Sequence, residues 1–101
     1  MERKPANPSP DVVAFTASVR GRVQGVGFRW SAVERAERLG VSGWVRNEYD
    51  GSVSCHCEGS RDALERYLDW LKRGPPGAYV AEVEVSWGAA SGTFRGFAVD
   101  F

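Results

Sequence analysis

The spacing of apolar residues switches between the period of a strand and that of a helix several times along the chain. The order of these switches constrains the fold more than any other feature. Over residues 12–23 they alternate, which predicts a strand with one buried face. Over residues 28–39 they recur every three or four positions, which predicts a helix that stops at Gly40. Residues 42–47 and 52–58 predict two strands joined at Asp50-Gly51, a dipeptide that favours hairpins because both residues tolerate positive φ.

The rest of the chain continues this alternation of helix and strand. Ser60 is placed to cap a second helix, and the segment Gly74-Pro75-Pro76-Gly77 is placed to end it. Two further alternating segments, around 81–87 and 97–101, predict the last strands. The side chains expected on the buried faces from the third strand onward are Val53, Cys55, Cys57, Leu64, Tyr67, Leu68, Leu71, Ala81, Val83, Val85, Trp87, Phe97, Val99 and Phe101.

The order β-α-β-β-α-β predicts an α+β fold, the ferredoxin-like split βαβ sandwich, in which two helices cover one face of an antiparallel sheet. A chain of 101 residues has room for one core. We therefore expect one domain over residues 12–101 after a flexible tail over residues 1–11. The strand positions expected to be exposed on the open face of the sheet are Ser52, Ser54, His56, Glu58, Glu82 and Glu84.

Composition and charge exclude several functional classes. The formal net charge is zero, whereas a general nucleic-acid binder carries a basic excess, so no nucleic-acid partner is expected. An RNA-recognition sheet would also need aromatics at exposed strand centres, where this chain has glutamates. The first ten residues contain charges and prolines without an apolar stretch, and no apolar run approaches 18 residues. These features predict a cytoplasmic protein without a membrane partner.

Cys55 and Cys57 lie two positions apart on one predicted strand. Their side chains would point the same way about 7 Å apart, which is too far for an unstrained disulfide. His56 would face the opposite side of the sheet, and no second group of cysteines and histidines exists to complete a metal site. We expect buried thiols in a reducing compartment and no bound metal.

A glycine-rich segment, Gln24-Gly25-Val26-Gly27, links the first strand to the first helix, which opens with Phe28-Arg29. The first backbone N–H groups of a helix have no intrahelical partner, and the helix dipole adds positive potential there. Glycines allow the backbone to curl until those N–H groups converge on an anion of phosphate size. Arg29 would add a planar fork of donors. A glycine-rich turn followed by a solvated arginine explains the same residues without a ligand.

Asn47 ends the second strand just before the hairpin turn. A side-chain amide there can bond the local backbone, or it can both donate to and accept from a water and so orient it. Phosphoryl transfer depends on such positioning where no strong base is available. Asp50 is better explained by the turn, and His56 by exposure to solvent. The loop also lacks the sequence of a nucleotide P-loop and the GxGxxG spacing of a dinucleotide site.

Two segments together resemble the signatures of the acylphosphatase family. The first is Gly21-Arg22-Val23-Gln24-Gly25-Val26-Gly27-Phe28-Arg29. The second is Gly43-Trp44-Val45-Arg46-Asn47 followed by Asp50-Gly51-Ser52-Val53. The resemblance extends over residues 12–101 and includes Gly74-Pro75-Pro76-Gly77 and Phe94-Arg95-Gly96-Phe97.

The resemblance implies an enzyme that hydrolyses the carboxyl–phosphate bond of acyl phosphates without a metal, a cofactor or a covalent phosphoenzyme. It implies that Arg29 binds the phosphate together with loop N–H groups from Gln24 to Arg29, and that Asn47 orients the attacking water. We expect a monomer that acts on a small acyl phosphate, such as 1,3-bisphosphoglycerate, carbamoyl phosphate or acetyl phosphate. Inorganic phosphate and sulfate should compete. The alternatives are a domain with a carbamoyl phosphate role, as in hydrogenase-maturation carbamoyltransferases, and a non-enzymatic anion-binding module.

Overall fold

The computed structural model describes residues 12–101, and the expected tail over residues 1–11 lies outside them. Five strands and two helices follow one another in the predicted order. Their bounds are β1 Val12–Arg22, α1 Phe28–Leu39, β2 Ser42–Asn47, β3 Val53–Ser60, α2 Arg61–Arg73, β4 Tyr79–Ala89 and β5 Phe97–Val99. The ferredoxin-like sandwich predicted from the sequence is therefore confirmed.

The sheet has the strand order β4-β1-β3-β2-β5. Neighbouring strands from β4 to β2 pair antiparallel, and β5 pairs parallel to β2 at the edge, so the sheet is mixed rather than wholly antiparallel. Both helices contribute buried side chains to a single core with the inner face of the sheet, with Phe28 and Ala32 from α1 and Tyr67 from α2 among them. This arrangement brings the start of α1 and the end of β2 to the same side of the sheet.

The turns form as the sequence predicts. Ser60 caps α2 by accepting from the backbone N–H of Ala63 at 3.1 Å, and Gly40 ends α1 in the left-handed conformation. The hairpin between β2 and β3 closes through a hydrogen bond from the Glu48 N–H to the Ser52 carbonyl oxygen at 2.9 Å.

Ala81 is a correction to the predicted core. The pairing of β1 with β4 passes from Arg20–Glu82 to Gly21–Val80, so Ala81 is the extra residue of a β-bulge and is exposed. Val80 packs against the core instead. Gly21 makes the bulge feasible, because a Cβ at this position would lie 2.2 Å from the carbonyl oxygen of Tyr79.

Phe101 is a second correction. It was expected to extend the buried face of the last strand, but β5 ends at Val99 and the Phe101 side chain is exposed. A three-residue edge strand cannot continue the alternation that the sequence suggests, and Phe101 lies instead beside the start of α1.

Candidate active site

The segment from Val23 to Gly27 curls between β1 and α1 because two of its residues adopt positive φ. Gly25 has a φ of 78° and Gly27 a φ of 77°, a backbone conformation that residues other than glycine rarely adopt. A Cβ at either position would meet no atom within 4 Å, so conformation rather than space requires glycine here. Val26, between them, packs against the core and anchors the loop.

The start of α1 has the features of an anion site. Gly27 is its N-cap, no side chain caps the helix, and its first turn contains no acidic residue. The first N–H groups of the helix therefore keep their positive potential and face no carboxylate of the same turn.

Arg29 lies in this first turn, and its side chain lines the cavity formed at the loop. None of the ion pairs within residues 12–101 involves Arg29. Its guanidinium carbon lies 5.7 Å from the centroid of the Phe101 ring, a cation–π contact that leaves the N–H fork for an anion.

Asn47 reaches the same cavity from the end of β2. It lies two residues after Val45, which is fully buried on the helix-facing side of the sheet. Because side chains alternate between the two faces along a strand, both residues point to that side. Its Oδ1 atom is buried and accepts no hydrogen bond from any group in residues 12–101. Buried amide oxygens are rarely left without a donor, so this atom is placed to accept one from a ligand or a water.

The cavity between these elements has a volume of about 160 Å³. Of the six residues predicted to bind phosphate, Gly25, Gly27, Phe28 and Arg29 line it, together with Asn47, whereas Gln24 and Val26 do not. The remaining lining residues are Val23 and Trp30. The structure thus brings the predicted arginine, asparagine and glycines to one site.

Comparison with known proteins shows which family the chain belongs to. A model of the acylphosphatase family matches residues 15–99. A curated acylphosphatase from Anaeromyxobacter sp. (strain Fw109-5) is 54% identical over 81 residues, which cover 80% of this chain and 87% of that protein. This chain belongs to the acylphosphatase family. The prediction of an enzyme of this family from its two signatures is thereby confirmed.

Solved structures extend the comparison to the fold. The crystal structure of acylphosphatase from Bacillus subtilis matches with a TM-score of 0.85 and 31% identity, covering 88% of this chain and 99% of that one. Full-length HypF, in a phosphate- and nucleotide-bound form, matches with a TM-score of 0.83 and 24% identity over 93% of this chain but only 12% of its own. At that identity the likeness shows that the acylphosphatase fold also occurs within a much larger protein.

The hairpin that follows Asn47 is held in two ways. Asp50 Oδ1 accepts from the Ser52 N–H at 2.9 Å and from Ser52 Oγ at 2.6 Å, and these bonds hold the pKa of Asp50 below its usual value. This agrees with a turn role for Asp50 rather than that of a base. Gln24 Nε2 donates to the carbonyl oxygens of Glu48 at 2.8 Å and Ser52 at 2.9 Å, which joins the glycine loop to the hairpin.

Charged side chains brace the outer face of β2 beside Asn47. Arg46 donates to Glu48 at 3.0 Å and to Asp100 at 2.9 Å, and its guanidinium lies 4.6 Å from the Trp44 ring centroid. Ser54 also donates to Glu48. The Ser54 hydroxyl and then Arg46 lower the pKa of Glu48, so this carboxylate stays charged and the network stays intact at neutral pH.

His56 and Glu58 were expected to be exposed on the open sheet face, and this expectation is wrong. His56 is half-buried and its ring packs against Trp44 and Phe94. Glu58 is buried and accepts from His56 Nε2 at 2.7 Å and from the Ser91 N–H at 2.9 Å. The reason is that the loop after β4 folds over this end of the sheet, which local alternation cannot reveal.

The other expected exposed positions divide in the same way. Ser52 is buried in the hairpin and Ser54 is half-buried, whereas Glu82 and Glu84 are exposed as predicted. A wider cavity of about 300 Å³ lies between β1 and β4 next to Glu84. Its lining contains no lysine or arginine, so it is unsuited to a phosphate.

Cys55 and Cys57 are buried free thiols, as the sequence predicts, and burial raises the pKa of Cys57. Within residues 12–101 no three histidine, cysteine or acidic side chains are grouped as metal ligands. In the same part of the chain, neither helix has the length and apolarity needed to cross a membrane.

Sequence reasoning did not identify two residues next to the site. Trp30 follows Arg29 but lies off the buried stripe of α1, and the residue is 73% exposed and lines the cavity. The available signal in the sequence was an aromatic residue at a helix position that does not belong to the buried apolar stripe. The contact of Phe101 with Arg29 had no local signal, because it joins the last residue of the chain to the first helix.

Proposed function

We propose that this enzyme hydrolyses the carboxyl–phosphate bond of acyl phosphates, giving a carboxylate and inorganic phosphate. The observation that carries the proposal is that Arg29, the glycine loop and Asn47 line one cavity. A cationic fork and uncapped helix N–H groups suit a phosphate, and a buried amide oxygen without a donor suits a water.

The phosphate would lie at the start of α1. Backbone N–H groups of residues 24–29 would bond its oxygens, and Arg29 would take two of them in a bidentate contact. As the reaction proceeds, charge shifts over these oxygens, and donors already in place stabilise that charge without reorganising.

Asn47 would hold the attacking water in line with the bond that breaks. The water oxygen forms a bond to phosphorus while the phosphorus–oxygen bond to the acyl group breaks, and the carboxylate leaves with the electron pair. The water's protons end on inorganic phosphate and solvent. A carboxylate is a good leaving group, so positioning and charge stabilisation suffice and no strong base is required.

The proposal includes its cellular setting. The enzyme acts as a monomer in the cytoplasm without a cofactor or a nucleic-acid partner, and the buried thiols of Cys55 and Cys57 suit a reducing compartment. Phosphate and sulfate compete with the substrate at the loop because both are tetrahedral oxyanions.

Hydrolysis of benzoyl phosphate, followed by ultraviolet absorbance in the presence of EDTA, tests the proposal. The proteins are the wild type, Arg29→Ala and the control Arg38→Ala, which removes an exposed arginine from the last turn of the same helix. We expect activity in the wild type and the control, and a loss of at least roughly a hundredfold in kcat/KM for a folded Arg29→Ala. A wild type that binds phosphate without hydrolysing the substrate would indicate an anion-binding module instead.

A further inference from the structure

Trp30 has an exposed ring that the fold does not use. It belongs to the first turn of α1, yet the buried side chains of that helix are Phe28, Ala32 and Ala36. Within residues 12–101 its ring takes part in none of the close aromatic pairs, and it is 73% exposed. Tryptophan is strongly buried on average, and ligand cavities are lined mainly by apolar and aromatic side chains, so the exposed Trp30 ring in this lining is suited to contact a ligand.

The position of Trp30 relates it to one part of the substrate. The phosphate and the water are assigned to the loop, Arg29 and Asn47, so the acyl group must extend from the phosphate toward the opening of the cavity. Trp30 is the most exposed large side chain in the cavity lining, which places it at that opening. Phe101, also exposed, lies beside the Arg29 guanidinium.

We propose that Trp30 and Phe101 form an acyl-binding surface that favours substrates with an aromatic or extended hydrocarbon acyl group. The inference rests on the proposed function and adds the substrate class. An apolar acyl group would cover both rings and leave water, whereas acetyl and carbamoyl groups are too small to do so. Discrimination between acyl phosphates then arises from contact with the acyl leaving group and not from contact with the phosphate.

The ratio of kcat/KM for benzoyl phosphate to that for acetyl phosphate tests this surface. We expect a ratio above one in the wild type, a decrease of about tenfold in Trp30→Ala, a smaller decrease in Phe101→Ala and recovery in Trp30→Phe. Acetyl phosphate hydrolysis should decrease less than benzoyl phosphate hydrolysis in each variant, because the acetyl group is too small to cover the rings. Tyr79→Ala is the control, because Tyr79 is 66% exposed but does not line the cavity.

An unchanged ratio in active Trp30→Ala and Phe101→Ala proteins would overturn the acyl-binding surface and leave the proposed function standing. A folded wild type that hydrolyses neither substrate would overturn the proposed function, and the acyl-binding surface with it.

Gln24 supports a second, independent inference. Its Nε2 group donates to the carbonyl oxygens of Glu48 and Ser52, the same two residues whose backbone bond closes the hairpin after Asn47. Gln24 also directly precedes Gly25 in the loop. One side chain therefore joins the segment assigned to the phosphate to the segment assigned to the water.

The geometry assigns Gln24 a positioning role: it sets the separation between Asn47 and the phosphate loop. This inference also rests on the proposed function. Removing both donors would free the hairpin to move relative to the loop, so that the water would be poorly aligned while the loop could still bind phosphate. Small displacements from the reactive geometry are costly in phosphoryl transfer.

Gln24→Met keeps the length and neutrality of the side chain but cannot donate, and Gln24→Leu is a second variant should the first fold poorly. We expect kcat to fall about tenfold while the inhibition constant for inorganic phosphate changes less than about twofold. In an Asn47→Ala background the same change should have little further effect on kcat, because it acts through Asn47. An unchanged kcat, or full additivity with Asn47→Ala, would overturn the assignment.

Discussion

The side chains of Arg29 and Asn47 line one cavity, although one belongs to the first turn of a helix and the other ends a strand. The two elements meet because α1 packs on the face of the sheet to which Val45 and Asn47 both point.

Asn47→Ala should lower activity with little change in stability. Losing the group assigned to the water should reduce kcat by roughly a hundredfold with little change in KM. Asn47 Oδ1 accepts no hydrogen bond from residues 12–101, so its removal breaks none there, and the free energy of unfolding should change by less than about 1 kcal/mol. Steady-state kinetics and urea denaturation measure the two effects. A rise in KM alone would contradict the assignment of Asn47 to the water.

Inorganic phosphate should stabilise the folded protein through Arg29. At a phosphate concentration tenfold above the dissociation constant, we expect Tm to rise by roughly 5 °C in the wild type. Arg29→Lys keeps the charge but loses the planar fork, so its increase should be smaller, and Arg29→Ala should show almost none. Thermal scans in phosphate and in chloride at equal ionic strength measure this. Equal increases in all three proteins would mean that phosphate binds elsewhere.

Glu58 should make the free energy of unfolding depend on pH in the acid range. Burial opposes ionisation of this carboxyl group, but hydrogen bonds from His56, Ser91 and Gly92 outweigh it and lower the pKa of Glu58 to about 2. A depressed pKa in the folded state contributes stability above the unfolded value, and this contribution is lost as the pH falls toward 2. The shift corresponds to about 3 kcal/mol.

Glu58→Gln provides the test of this contribution. We expect it to cost about 2 kcal/mol at pH 7, because an amide cannot accept all the bonds that the carboxylate accepts. It should also flatten the loss of stability between about pH 5 and pH 2. Glu84→Gln, an exposed glutamate on the same face, should change stability by less than about 0.5 kcal/mol. Parallel pH profiles for the wild type and Glu58→Gln would refute the assignment.

Gly43→Ala should be far more destabilising than Gly40→Ala, although both glycines have positive φ. A Cβ at Gly43 would lie 1.8 Å from the carbonyl oxygen of His56 on the neighbouring strand, whereas a Cβ at Gly40 would meet nothing within 4 Å. We expect about 1–2 kcal/mol for Gly40→Ala, from backbone strain alone. Gly43→Ala should exceed this by several-fold or fail to fold. Similar denaturation midpoints would contradict the close approach of β2 and β3.

Local patterns predicted most of the fold because strands, helices and tight turns depend on neighbours in sequence. The alternation that places Val53, Cys55 and Cys57 inside, and the caps at Gly40 and Ser60, appear in the structure as predicted. The same patterns failed at Ala81, where a bulge changes the pairing, and at Phe101, beyond the end of a short edge strand.

The sequence by itself determined the order of the elements, the presence of glycines in the loop between β1 and α1 and, through two signatures, the family. Only the tertiary structure decided that Asn47 and Arg29 share a cavity, that Gln24 joins loop to hairpin, and that Glu58 is buried under a loop. The physical reason is the separation along the chain of the residues that make each contact. Periodicity records which face of an element leaves water, whereas contacts between distant segments depend on how all the faces pack together.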